Sequence, residues 1–534
     1  MLDAAGHQPL TDEKVWIVQI AAAIAQDAQH RLDFQTLSNA LILAALFLAA
    51  WGLSYRAAGA VELALAAKNT HAILHLYGRV MEESDSPEAQ RWNALQRALH
   101  MNDSFAIHAD DFARIREELL ATSTLLGQAI LPEPEMNFVL NTGGTLPEPS
   151  PNLIPDGVCL SILLASDEPC GTGVDYGIPS SRSMCMVVLH HPDGGLDARL
   201  RYTDAAVFRD LALELKRLKQ SMREAMSRTE PKAGISTSKD GGCAMSALGD
   251  FLARLEQALG PLLEAFEPSL AVLCAKNTLY LCLDPLLQPL PVEHLGFFAK
   301  FPSVSRELSV WSVMRKNGPK SIKPSFTPAL QVIDPFADHP ASLALFATNE
   351  HALSKAQVDV LSCTQEKHPL APAFLRYKLQ STAYNTFVFN GCGAFTAVFT
   401  PAILATAQLR QMQNMVIVFD AITPSSERRE QRARQSHDAP SSAGGLTPPH
   451  VPQEVEMWEL SLFLLASGVR FLITTWCPSL PEEHDILCKK MTVALIQGRG
   501  TAGENAYGGK IPKDSKRDFR ILLYGGKGAA TRGR

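Results

Sequence analysis

Charge of either sign is scarce in this sequence: Asp, Glu, Lys and Arg make up 19% of its 534 residues, and the net charge is −6. A dense basic surface is missing, which argues against nucleic acid as a main partner, because phosphates are held by clustered Lys and Arg. Ten cysteines are spread singly from Cys159 to Cys488, and no two of them form a CxxC pair. Neither a zinc cluster nor a disulfide framework is implied, and a reducing compartment suits these thiols. No metal and no cofactor are expected. The stretch "GRGTAGENAYGGK" lacks the G-x-x-x-x-G-K-[ST] spacing of a phosphate loop, and no strand pattern precedes it. A span-length apolar run is also missing from residues 40–53, "ALILAALFLAAWGL", which reach 14 residues. A bilayer needs ~18–20. The segment reads as a buried core helix, with Ser38 and Asn39 as its cap and Arg56 closing it; a membrane anchor is the alternative. "MLDAAGHQPLTDEK" shows no basic segment followed by an apolar one, so no secretory signal is expected.

Proline is absent from Thr11 to Ser86, and apolar residues recur there at three- and four-residue spacing. Residues 12–128 therefore read as helices. Within them Gly52, Tyr55, Gly59 and Ala64 stand at the offsets of a tetratricopeptide helix pair, with Lys68 where a bulky apolar residue is usual. An ordinary helical hairpin explains these residues equally well. The expected division is a helical, weakly repeat-like region at 1–130, then a segment at 131–246, then an α/β domain at 247–534. The middle segment combines a Pro/Gly-rich linker, two strands (158–166 and 184–191), a helix at 205–226 and a polar linker at 227–242.

From Ala247 onward, apolar strand patterns alternate with helical ones. They fall at 278–284, 329–334, 386–391, 415–421 and 470–476, with a last strand in "FRILLYGG". Near-continuous apolar strands between helices predict a largely parallel sheet with flanking helices. Residues 423–453 are too polar and Pro/Ser-rich to order themselves, and the Gly/Lys/Arg-rich tail 499–534 is expected to be loose apart from its strand.

The order of these pieces resembles the caspase-like peptidase fold of CHAT domains and separases, over roughly residues 247–526. The resemblance is carried by "LYLCLDPLLQPLPVEHL", with Leu290, Pro291 and Glu293, and by "FPSVSRELSVWSV" after it. It continues in "VIDPFAD", with Asp334 and Pro335, in "FVFNGCGAF", with Gly391 and Gly393, and in "LASGVRFLITTW", with Gly468 and Trp476. In that family one strand ends in Gly-His-Gly and a later one ends in the nucleophilic cysteine. Here Cys392 occupies the histidine's place, and Asp420 falls at or beside the cysteine's place. Proteolysis by cysteine needs a thiolate with an imidazole to shuttle protons, and an aspartate and a thiol supply neither role. The resemblance therefore implies a pseudo-peptidase, with Gly391 and Gly393 kept for tight, positive-φ backbone at a strand tip. A buried, inert thiol is the plainer account of Cys392. Asp284, Asp334 and Asp420 end strands, and turn formation accounts for them more simply than a metal does.

With helical material upstream, "FPSVSRELSVW" and "PLPVEHLGFF" resemble the C-terminal part of the cilia- and flagella-associated protein 46 family. Those are large proteins of a projection of the ciliary central-pair microtubules. That resemblance implies a non-catalytic structural subunit in the cilium or flagellum axoneme, a cytoplasmic, cytoskeletal location, and other central-pair projection proteins as partners. No nucleic acid and no small-molecule substrate are expected. Two alternatives stay open: an active cysteine peptidase of the same fold, with His339, His351, His368 or His484 brought to Cys392, and a membrane protein anchored by residues 40–53.

Overall fold

The structure is a computed structural model. It describes residues 12–30, 33–50, 54–82, 90, 157–165, 183–192, 194–228, 239–274, 278–298, 300–301, 303–310, 312–313, 328–334, 350–362, 377–378, 384–392, 395, 414–421, 457–466, 469, 471–475 and 521–524. At several element ends, and throughout the strands at 414–421 and 521–524, the description is of backbone alone.

The proline-free N-terminal stretch forms α1 (Asp12–His30), α2 (Phe34–Ala50) and α3 (Ser54–Glu82). Nine residues of α2 are buried, from Phe34 to Leu48. Residues 40–50 thus lie in a core helix, and no described helix is long and apolar enough to cross a membrane. Its cap is not Ser38 or Asn39, which stand inside the helix. Asp33 does that work: its Oδ1 accepts the Thr36 N–H at 3.0 Å. The sequence reading missed this because Asp33 precedes the apolar run by seven residues of mixed character. Asp33→Ala should cost about 1 kcal/mol, the usual worth of an N-cap, read from the shift in a urea midpoint.

Helix α3 runs unbroken through Gly59. A tetratricopeptide pair needs a turn there, so the repeat-like reading of Tyr55, Gly59 and Ala64 fails. Lys68, the residue out of place in that motif, has a different task. Its Nζ donates to Leu164 O at 2.6 Å and to Asp284 Oδ2 at 2.9 Å. The adjacent Asn69 Nδ2 donates to Leu283 O and Leu308 O, at 3.1 and 2.9 Å. Earlier on the same helix, buried Glu62 meets His190 at 2.9 Å. α3 is therefore stapled across the sheet.

The sheet has eleven strands, in the order β3-β2-β1-β4-β5-β11-β10-β9-β8-β6-β7. The first three are β1 (Gly157–Ala165), β2 (Ser183–His190) and β3 (Leu196–Thr203); β4 is Thr278–Leu283 and β5 Ser303–Glu307. The other block is β6 (Ala329–Ile333), β7 (Val358–Ser362), β8 (Thr386–Cys392), β9 (Asn414–Ala421) and β10 (Phe471–Thr475); β11 is Ile521–Tyr524. The remaining α-helices are α4 (Ala205–Arg228), α5 (Lys239–Leu263), α6 (Glu267–Leu273), α7 (Glu350–Lys355) and α8 (Met457–Ala466). β1, β4, β5 and β11 run parallel, and so do β10, β9, β8, β6 and β7. The two blocks meet antiparallel at β10–β11, and β2 is antiparallel to both its neighbours. The fold is mixed α/β with a parallel-rich sheet, as expected. The division at 246/247 marks no break: β1 pairs with β4 across it, and one hydrophobic core extends from Val18 to Ile473.

Strands β3, β5 and β7 were absent from the sequence reading. The helix expected at 205–226 is α4, and part of the linker expected at 227–242 is helical, because α5 begins at Lys239. The insertion 423–453 and most of the tail 499–534 lie outside the described residues.

Candidate functional site

Strand order directs attention to one edge. In the second block the chain lays down β6, adds β7 on one side, then returns to the other side for β8, β9 and β10. The chain reverses its direction of growth between β6 and β8. In doubly wound sheets the crevice at the carboxyl ends of such a pair is where ligands sit. Asp334 follows β6 there, and Asn390, Gly391 and Cys392 end β8.

Backbone geometry at this edge is unusual. The Asp334 N–H donates to Asn390 O at 2.7 Å, which ties the two strand ends together. Asp334 is buried and has φ 40°, a left-handed conformation that costs a non-glycine residue ~1–3 kcal/mol. Of the glycines expected to take positive φ at the end of β8, Gly393 lies outside the described residues, and the left-handed residue described at this edge is Asp334, after β6. Between β8 and β9 the register slips: Asn390 pairs with Val418, whereas Cys392 pairs with Ala421. Two steps on β8 match three on β9, so the extra residue is a bulge on β9 beside Asp420. Cys392 and Asp420 thus stand at the carboxyl ends of adjacent parallel strands, where the resemblance put a catalytic pair.

The histidines with described side chains stand elsewhere. His351 lies on α7, which leads into the amino end of β7, the opposite edge. His190 and His191 end β2, seven strand positions or about 34 Å away at ~4.8 Å per strand. They bond Glu62 and Asp197. His339, His368 and His484 lie outside the described residues, as do Pro335, Gly393, Gly468 and Trp476. One spacing escaped the sequence reading: His71 and His75 form a His-x-x-x-His on α3, both exposed, with ring centroids 6.5 Å apart. No third ligand joins them, and no group of three or more metal-ligating side chains occurs among the described residues.

Cys159, Cys185 and Cys282 are fully buried in the sheet. Cys159 and Cys282 face each other across β1 and β4 with sulfurs 3.6 Å apart, both fully buried. The hydrogen bond from Cys282 lowers the Cys159 pKa, but burial and the nearby Glu62 and Glu307 outweigh it and leave it raised. Burial holds Cys282 well above the ordinary thiol value and pushes Cys185 up to about 12. Such thiols stay protonated and are poor nucleophiles.

Leu290, Pro291 and Glu293 serve the other block, in the loop leaving β4. Leu290 and Pro291 are buried, and Glu293 pairs with fully buried Arg306 of β5. Arg306 Nη2 lies 2.6 Å from Glu293 Oε2, and Nε donates to both carboxylate oxygens at 3.2 and 3.3 Å. The guanidinium also donates to Gln288 O and Leu290 O. The motif is a buttress for the sheet. Asp284 is a turn former, as expected: Oδ1 accepts the Leu286 N–H at 3.0 Å and Oδ2 the Leu164 N–H at 3.1 Å.

At the amino ends of these strands, opposite the switch point, Tyr384 before β8 donates to Asp359 Oδ2 of β7 at 2.6 Å. Desolvation first, then the bond and charge of Asp359, push the phenol up to about 12. A raised phenol pKa favours the protonated fold, so this stability is full below pH ~10 and is lost as pH rises toward 12. Tyr384→Phe should remove that component from the alkaline limb of a stability–pH curve; an unchanged limb would contradict it.

No family model matches the chain, and no curated protein matches it. Among solved structures it is similar to separase from the Saccharomyces cerevisiae separase–securin complex. A 3.0 Å structure shares 10% identity at a TM-score of 0.40, covering 86% of this chain and 37% of that one. A 2.6 Å structure shares 10% identity at 0.43, covering 97% and 41%. The chain spans about two fifths of the length of those structures.

Proposed function

We propose that this chain is a non-catalytic, caspase-like protein that works by docking other proteins, a pseudo-peptidase whose strand-end pair has been replaced. One observation carries the reading: at the carboxyl ends of adjacent β8 and β9, the residues are Cys392 and Asp420, neither of them an imidazole. Buttressing by Arg306 and Glu293, and α3 stapled over the sheet, support a body built to hold shape. On this reading the body serves in the central-pair projection of the axoneme, with other projection proteins as partners, and the likeness of "FPSVSRELSVW" and "PLPVEHLGFF" to the ciliary family supports it. Fractionation of ciliated cells expressing the tagged chain tests the location. Retention in the detergent-insoluble axoneme is expected, and full release by mild detergent would overturn it.

A second reading rests on Cys392 itself, which ends a strand at the switch point. On that reading the chain is a cysteine peptidase with a histidine recruited from elsewhere. The purified chain should hydrolyse no peptide library substrate, and Cys392→Ser should change neither this result nor any motility phenotype. Hydrolysis that disappears in Cys392→Ala would establish the peptidase instead.

A further inference from the structure

Among the described residues the sheet ends at β3, with no further strand paired to it. Its last residues, Arg199 to Tyr202, are exposed on both faces of the strand, with Tyr202 59% and Leu200 37% accessible. Eight residues without proline pair with β2 in unbroken register, so the outer row of N–H and C=O groups faces away from the sheet. Side chains alternate across a strand. One face of β3 therefore carries Arg199 and Arg201, and the other carries Leu196, Ala198, Leu200 and Tyr202.

The nearby acids are already engaged. Asp197 meets His191 and Ser269, and Asp204 accepts the Ala206 N–H at the start of α4. Among the described residues, neither Arg199 nor Arg201 has an ion pair.

We infer that the free edge of β3 accepts an extended peptide from a partner protein, with acidic residues on one face and aliphatic residues on the other. Such a strand extends the sheet through main-chain bonds, while its carboxylates meet Arg199 and Arg201 and its apolar side chains cover Leu200 and Tyr202. A second copy of the chain fits poorly. Symmetric antiparallel pairing centred on residue 199, 200 or 201 sets Arg199 against Arg199, Arg199 against Arg201, or Arg201 against Arg201; centring on 199 also sets Arg201 against Asp197, but that carboxylate is engaged by His191 and Ser269. Like charges directly opposite destabilise a strand pair. This inference rests on the docking reading above, and names the surface.

The test uses the purified full chain and a fluorescent peptide of about ten residues alternating Glu and Val, long enough to cover the strand. Anisotropy should show saturable binding that weakens as salt is raised, and Arg199→Glu/Arg201→Glu should weaken it about tenfold. A peptide alternating Lys and Val should not bind. N-methylation of the acidic peptide, in either alternate-residue pattern, should abolish binding in the pattern that blocks the paired face. Equal binding by both methylated peptides would show attraction of charge alone and overturn the inference. No binding at all would show that the arginines only blunt the edge. Self-association relieved by the double charge reversal would assign the edge to a second copy. Circular dichroism of the variant keeps misfolding distinct, and failure here leaves the axonemal fractionation result untouched.

Discussion

Replacing Glu293 with alanine is expected to destabilise the chain by about 3–5 kcal/mol, a large fraction of a typical fold's margin. Arg306 is fully buried, and Glu293 meets it with a carboxylate at 2.6 Å. Without it, the guanidinium loses that carboxylate, and the carbonyls of Gln288 and Leu290 carry no formal charge to replace it. A buried cation that loses a paired carboxylate bears much of its desolvation cost uncompensated. Arg306→Met should be nearly as damaging, because it strands the carboxylate. The double variant Glu293→Leu/Arg306→Met separates the pair's net worth from the cost of breaking it: two apolar residues should recover much of the loss. Urea unfolding of the four proteins measures all three quantities. Additive losses in the double variant would show that the two residues do not act as a pair.

That pair also shows where the sequence could be read and where it could not. β4, β6 and β8 announce themselves as apolar, β-branched or aromatic runs, because both of their faces are buried. β5, "SVSRE", is just as central but reads as polar. Its Arg306 and Glu307 are buried with partners in the loop after β4 and at Ser312, contacts that local pattern does not encode. β3 was hidden for the opposite reason. "LDARLRYT" is an edge strand with solvent on both faces, so it shows no buried stripe. Strand ends were legible at Cys392 and Asp420, since turn and glycine signals mark where a run stops. The bulge beside Asp420 and the left-handed Asp334 were not, because register belongs to the pair of strands and not to either one. Strand direction is equally invisible to a one-dimensional pattern, and the meeting of two opposed parallel blocks could not be read from it.

The junction of those blocks carries the second large expectation. β11 is four residues long and comes after a tail that reads as loose, yet it is the strand between β5 and β10. It pairs with β10 over four positions and with β5 through Tyr524 and Arg306. Removing residues 517–534 should therefore open a gap in the middle of the sheet. At ~1 kcal/mol net for each lost main-chain bond, and more for any group left buried and unpaired, the loss is on the order of 5 kcal/mol. The two blocks should then lose their mechanical link. The single unfolding transition is expected to split in two, or the truncated chain to aggregate through the bared edges of β5 and β10. Removing only Lys527–Arg534 leaves β11 in place and should change neither midpoint nor cooperativity. If the longer truncation melts like the full chain, β5 and β10 hold the blocks together without β11, and the sheet is not the continuous body drawn from its pairing.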